Sequence, residues 1–308
     1  MIIGVDNGNA RTKTIHTVFT SGINVHDVYP PISDEVLEWN GKFYTLSLKR
    51  NPYSRNKTKD DVCYVLTLFA MAKEILASDK YSSELDVDLA VGLPPEHFGL
   101  LKDKFADYFM KYGPQIKFKY MQKPFTINLN SVSVYPQAYA AVANKATELK
   151  EYSRTYVIDI GGYTTDVLLL HNGKPDLTYC RSLENGIITM NNNIHARISA
   201  AYDTSVEEDH IIDVLLDRKH SMSDEVVKSI KELAEEHAAS ILNQLRELGI
   251  DLKSNPAIFV GGGALLFREY LENSEMTSKT EFMPDVAANA LGYTIFTTVK
   301  LNKLAKKG

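Results

Sequence analysis

The chain has 308 residues, 44% apolar and 24% charged, an ordinary globular balance with room for two domains that each bury a core. Its net charge of −5 argues against direct coating of nucleic acid. Two cysteines, Cys63 and Cys180, cannot build a disulfide framework, so a reducing cytoplasm is expected. The start, Met1 to Asp6, has no basic leader region. The longest apolar run, Val62 to Ala72, is too short to span a bilayer. The histidines show no i,i+4 metal pair.

The first segment reads Met1-Ile2-Ile3-Gly4-Val5-Asp6-Asn7-Gly8-Asn9-Ala10-Arg11-Thr12-Lys13. An apolar strand ends in an acid and a glycine turn, and strands are expected over Thr12–Thr20 and Ile23–Tyr29. Residues 30–60 are polar and rich in turns. There Asn40-Gly41, between Val36–Trp39 and Lys42–Thr45, predicts a hairpin at the root of a small inserted subdomain. Thr58 to Ala77 has the spacing of a helix with one buried face. A strand over Asp86–Val91 stops at Gly92-Leu93-Pro94-Pro95, and Phe98–Tyr112 is an amphipathic helix. Short strands follow at Ile116–Tyr120, Phe125–Leu129 and Ser131–Val134. Pro136 then sits where a helix to Leu149 would begin. Gln137 falls in its first turn, where its amide reaches a cleft or simply meets solvent.

The second half opens with Tyr156-Val157-Ile158-Asp159-Ile160-Gly161-Gly162-Tyr163-Thr164-Thr165-Asp166. Strand, tight turn and strand are expected, with an Asn172-Gly173 hairpin after them. Taken singly, this is also what any glycine-turned hairpin looks like. Glycines let backbone N–H groups approach an anion. An acid beside a phosphate would cost about 4 kcal/mol at 4 Å and a dielectric near 20, so a bridging cation such as Mg²⁺ is implied. The first segment repeats the pattern: Asp6 aligns with Asp159, Gly8 with Gly161 and Thr12 with Thr165, while Lys13 stands where Asp166 does. A duplication at this distance means two like domains. Two such turns facing each other would grip one polyphosphate, with Lys13 as the cation on it.

Residues 181–255 read as mainly helical. Ser205-Val206-Glu207-Glu208 predicts a capping box for a helix through Leu216. A long helix marked by Val226, Ile230, Leu233, His237, Ile241, Leu245 and Leu248 stops at Gly249, with His237 in its core or at its edge. Pro256 to Val260 is a strand that opens into Gly261-Gly262-Gly263-Ala264. This is a floor without side chains, on which a base or ribose can lie, with a helix N-terminus beyond it. The last helix starts near Pro284, and its Ala287, Ala288, Ala290 and Gly292 allow close approach. Lys303, Lys306 and Lys307 suit the dipole at its end.

In this order the segments resemble the actin-like ATPase superfamily, and within it the ParM/StbA plasmid-segregation actins. The likeness rests on Gly92-Leu93-Pro94, Pro136 to Ala141, Asp159 to Asp166, Leu183-Glu184-Asn185-Gly186 and Ala288 to Tyr293. It implies an α/β fold of two ribonuclease-H-like domains around a nucleotide cleft, each with a small inserted subdomain. The expected domains are 1–150, with an insertion near 30–60, and 151–308, with a helical insertion near 187–255. A C-terminal helix over 285–305 would lie near their junction. The resemblance further implies ATP, with GTP not separated from it, and Mg²⁺ held by Asp6 and Asp159. Phosphate contacts fall to Asn7, Gly8, Asn9, Lys13, Gly161, Gly162, Tyr163, Thr164 and Asp166. Gly261, Gly262, Gly263, Ala264 and Asn289 complete the nucleotide site, with Glu184, Gly186, Glu208 and Lys228 as candidate ribose and base contacts. Gln137 would orient the attacking water, near Asp159. Slow hydrolysis would time a filament of identical subunits, tied to DNA through a DNA-binding adaptor and not by direct nucleic-acid or membrane contact. The rivals are a small-molecule kinase on the same fold, which has no visible acceptor signature here, and a non-filamentous scaffold or chaperone. The cargo stays open between a plasmid, a phage genome and something cellular.

Overall fold

The structure, a computed structural model, describes residues 1–54 and 56–306; Lys307, expected at the end of the last helix, lies outside them. The chain divides into two compact units, Met1–Lys145 with Val286–Gly308, and Ala146–Asp285.

The first unit is built on a nine-stranded sheet. Its elements are β1 (Ile2–Asn7), β2 (Arg11–Lys13), β3 (Val18–Thr20), β4 (Ile23–His26), β5 (Val36–Trp39), β6 (Lys42–Leu46), α1 (Val62–Ala77), β7 (Glu84–Leu93), α2 (Pro95–Met110), β8 (Gln115–Tyr120) and β9 (Lys123–Pro136). The strand order is β3-β2-β1-β7-β9-β8-β5-β6-β4. Parallel pairing of β1 with β7 and of β7 with β9 requires crossover helices, and β1 is correspondingly apolar and buried along nearly its whole length. Asn40 and Gly41, at φ 51° and 73°, turn the β5–β6 hairpin as their sequence predicts. That hairpin pairs with β8, so the β5 and β6 strands of the inserted segment continue the main sheet, with β4 beyond them. The strand expected over Thr12–Thr20 is two strands with a turn at residues 14–17. The two strands expected near Phe125 and Ser131 are one, β9, with its register against β7 shifted past Asn130.

In the second unit a five-stranded sheet is flanked by helices: β10 (Thr155–Ile160), β11 (Thr165–His171), β12 (Lys174–Leu183), α3 (Ile187–Tyr202), α4 (Glu208–Leu215), α5 (Asp224–Glu247), β13 (Ala257–Val260), α6 (Gly262–Leu266), α7 (Arg268–Glu272) and β14 (Thr280–Phe282). Its order, β12-β11-β10-β13-β14, repeats the β3-β2-β1-β7-β9 half of the first sheet. In both, two antiparallel pairings precede two parallel ones. The capping box of α4 is made by Glu207 with His210, not by Ser205.

Two expectations fail for identifiable reasons. No helix runs from Pro136 to Leu149. Pro136 is the last residue of β9, Ala138 takes a left-handed φ of 61°, and short 3-10 turns follow at Ala140–Lys145 and Glu148–Glu151. An alanine-rich composition favours helix, but a left-handed residue interrupts the ladder. The C-terminal helix, α8 (Ala288–Ala305), was expected with the second domain and belongs to the first unit. It packs on β1, β7 and the Ala140–Lys145 turn. Glycines make that approach possible: a Cβ on Gly4 or Gly292 would strike the Ala290 or Ala140 carbonyl, and one on Gly92 would strike the Tyr293 ring.

Gly292→Ala is therefore expected to cost about 2 kcal/mol or more through overpacking. Urea unfolding reads this directly, and an unchanged midpoint would refute the close-packing account.

Candidate functional site

Asp6 is the last residue but one of β1, and Lys13 on β2 is its register partner. Asp159, the last residue but one of β10, faces Asp166 on β11 in the same way. The offset seen in the sequence is thus a repeated hairpin, one in each unit, with the connecting turn at its mouth.

In the second unit all four carbonyls of the turn are engaged. Ile187 N donates to Gly161 O at 3.2 Å, Ile188 N to Gly162 O at 2.7 Å, Gly186 N to Tyr163 O at 2.9 Å, and Gly161 N to Thr164 O at 2.8 Å. A trans peptide points its N–H opposite to its C=O. With the Gly161, Gly162 and Tyr163 carbonyls drawn toward the start of α3, the N–H groups of Gly162, Tyr163 and Thr164 face the other way. Successive N–H groups turned to one side form an anion cradle. Gly186 permits the arrangement, because a Cβ there would lie 2.6–2.8 Å from the backbone of Gly161–Tyr163. Gly261, at φ 89°, lies against the same turn; its Cβ would come within 2.5 Å of Asp159 Oδ1. Gly263 packs on Ile160, and Ala264 is buried beneath it. The helix that begins within these glycines, α6, has five residues, so its dipole at this point is small.

The first unit orients its turn with side chains. Lys57 Nζ donates to Asn7 O, Ser21 Oγ to Gly8 O at 2.7 Å and Ser21 N to Ala10 O at 2.9 Å. By the same planarity the N–H groups of Gly8 and Asn9 point away from Lys57 and Ser21. The buried Asn7 side chain spends one of its two amide N–H groups on Thr67 Oγ1 at 3.1 Å. Asp6 is buried; its carboxylate accepts Gln137 Nε2 at 2.9 Å and lies 3.6 Å from Lys13 Nζ. Gln137 sits in the tight turn after β9, and the Asn289 side chain holds that turn by accepting Ala138 N at 3.1 Å.

Among the described residues no group of three or more His, Cys, Asp or Glu side chains forms a metal cage. Mg²⁺ does not need one, since it keeps waters and phosphate oxygens and takes one or two carboxylates. Asp159 and Asp166 suit a cation. Both are buried on one face of a hairpin, where opposed residues have Cβ atoms roughly 5 Å apart and like charges repel. Thr164 Oγ1 donates to Asp166 Oδ2 at 3.1 Å.

Residues 157–273 match the family model described as archaeal actin homologue MreB-like, C-terminal. The chain superposes on the archaeal actin homologue Ta0583 in complex with ADP with TM-score 0.72 and 20% identity, over 97% of this chain and 99% of that one. A non-polymerisable quadruple mutant of pCBH ParM matches at TM-score 0.74 and 20% identity, over 97% and 99%. An Alp12 filament structure matches at 0.66 and 14%, over 97% and 98%. No curated protein matches the sequence. The chain has the actin-like fold.

Within this actin-like chain the predicted site residues separate into two groups. Asp6, Gly8, Asn9, Lys13 and Gln137 gather in the first unit, where Asn7 and Asn289 support the turns. Asp159, Gly161–Thr164, Asp166, Gly186 and Gly261–Ala264 gather in the second. Glu184 is exposed beside Gly186, Glu208 opens α4 on the surface, and Lys228 pairs with Glu232 at 3.7 Å on α5. Among the described hydrogen bonds and ion pairs, none links Glu184, Glu208 or Lys228 to the turn. Lys57, Ser21 and Thr67 were missed. Each is distant in sequence from the group it holds or carries no motif, so no local signal identified it.

Gly186→Ala is expected to break the bonds between turn and helix. Hydrogen exchange at the Gly186, Ile187 and Ile188 amides should accelerate about tenfold or more; wild-type protection in the variant would contradict the clamp.

Proposed function

We propose that the chain is an actin-like ATPase in which the two turns serve one Mg-ATP. The ATP-bound form assembles into filaments of identical subunits, and slow hydrolysis times their disassembly. The observation that carries this is the fixing of both turns by their carbonyls, which leaves N–H groups directed outward at Gly8–Asn9 and Gly162–Thr164. The fold supports the assignment, and so do the relatives whose names specify ADP, a filament and loss of polymerisation. Phosphoryl transfer needs positioning and charge neutralisation more than covalent chemistry, so a sparse set of side chains suffices.

Asp6 and Asp159 would hold the metal, which neutralises charge on the phosphate oxygens when bound. Lys13, on the Asp6 carboxylate, adds a mobile positive charge beside the first turn. Gln137 spends its amide N–H on Asp6, and its amide oxygen is then the end that orients water. The left-handed Ala138 and its Asn289 partner keep Gln137 in that pose. A filament of this kind would act in the cytoplasm on DNA, a plasmid above all, through a DNA-binding adaptor, in keeping with the net charge of −5. Among the described residues no helix is long and apolar enough to cross a membrane.

Purified protein with Mg-ATP should form filaments that sediment and are visible by electron microscopy, with phosphate release rising as they form. Persistent monomers at high concentration would count against the filament. Asp159→Ala should lower turnover about 100-fold or more, whereas near-normal turnover would remove its metal assignment. Gln137→Ala should leave ATP affinity within about threefold while slowing hydrolysis at least about tenfold. An equal loss in both would make Gln137 a binding group.

A further inference from the structure

His237 lies in the middle of α5, far in sequence from either turn. Its Nε2 is 2.9 Å from Asn185 O, and a carbonyl can only accept, so Nε2 carries the proton. Burial pushes the imidazole below its ordinary pKa, with the bond to Asn185 acting in the opposite sense, which keeps the ring neutral near pH 7. The Phe267 ring, just past the C-terminal end of α6, packs on it at 5.7 Å. Gln244, two turns further along α5, accepts the Asn185 side-chain amide at 3.0 Å.

Asn185 O and Gly186 N belong to one peptide plane. His237 fixes its carbonyl, and its N–H donates to Tyr163 O at 2.9 Å. Tyr163 O in turn shares a peptide plane with Thr164 N–H, which faces the anion side of the turn. His237 thus heads a continuous chain: imidazole N–H to the Asn185–Gly186 peptide, then to the Tyr163–Thr164 peptide, then outward. Hydrogen bonds in such a series polarise one another in the same direction.

The geometry points to His237 as a positioning residue for the phosphate turn, setting through two peptide groups how strongly Thr164 N–H binds the terminal phosphate of a nucleotide. This role presupposes that the turn binds ATP. It also makes α5 the element through which the helices of the second unit register that phosphate. ADP lacks the terminal group, so the two nucleotides should respond differently to loss of the His237 donor.

The test is equilibrium binding of magnesium complexes of ADP and a non-hydrolysable ATP analogue to the full chain and its variants. The wild type should bind both. His237→Phe keeps the bulk but removes the donor. It should weaken the triphosphate about tenfold and ADP less than about threefold, and His237→Gln, which keeps a donor, should recover most of the difference. His237→Met serves as the donor-free variant should thermal melting show that the phenyl ring unfolds the unit. An unchanged ratio of the two affinities in the donor-free variant overturns the role of His237 while leaving ATP binding intact. Parallel loss of both nucleotides overturns it too, because that marks a packing defect. Absence of nucleotide binding by the wild type overturns the ATPase assignment itself, and this role with it.

Discussion

The site depends on one constraint, the planarity of the peptide group. A short glycine-containing turn has no intrinsic reason to present its N–H groups to one side. It does so here because its carbonyls are held on the other. In the second unit the holders are backbone N–H groups at the start of α3, which would otherwise be unsatisfied donors of a helix N-terminus. One set of bonds therefore completes the helix and orients the turn. The first unit reaches the same result with Lys57 and Ser21. Side-chain donors have more rotamer freedom than a helix end. The first turn is accordingly the easier of the two to reorient, and the second is rigidly framed.

Glycine enters for proximity more than for flexibility. Gly186 lets the α3 backbone touch the turn, and Gly261 lets the strand end pass Asp159. In the first unit Gly4, Gly92 and Gly292 bring α8 onto the sheet. That contact delivers Asn289 to Ala138 and so stabilises a left-handed alanine, a conformation that costs roughly 1–2 kcal/mol for a residue with a Cβ. Packing at the C-terminal helix is thus converted into the pose of Gln137.

What could be read from the sequence was whatever is local and periodic. The Asp6 and Asp159 offsets, the Asn-Gly hairpins and the long α5 stripe each depend on neighbours within one element, and the structure places them as strand ends, type I′ turns and a buried helix face. The failures are tertiary. An alanine-rich stretch after Pro136 has every propensity for helix, but a single hydrogen bond donated by Ala138 N to Asn289, 151 residues on, accompanies a turn instead. Ser205 looked like a cap, yet Glu207 took that place because its reciprocal partner, His210, is two residues later than a box at Ser205 would need. Lys57 and His237 act through carbonyls, and nothing in a residue's type announces which carbonyl it will meet.

The two hairpins share a backbone but not a charge balance, and this separates what each can contribute. Across the first, Asp6 is opposed by Lys13, 3.6 Å away, so the acid is locally balanced. Across the second, Asp159 is opposed by Asp166, and both are buried. Directly opposed residues of an antiparallel pair have Cβ atoms roughly 5 Å apart, and like charges placed there repel. A phosphate brought to the second turn without a cation would add a further like charge, whereas the first turn offers an ammonium. Under the proposed function, the Gly161–Thr164 turn would lean on the metal more than the Asn7–Ala10 turn, which has Lys13 beside it. The division follows from one offset at which the duplicated sequences disagree, lysine in the first copy and aspartate in the second.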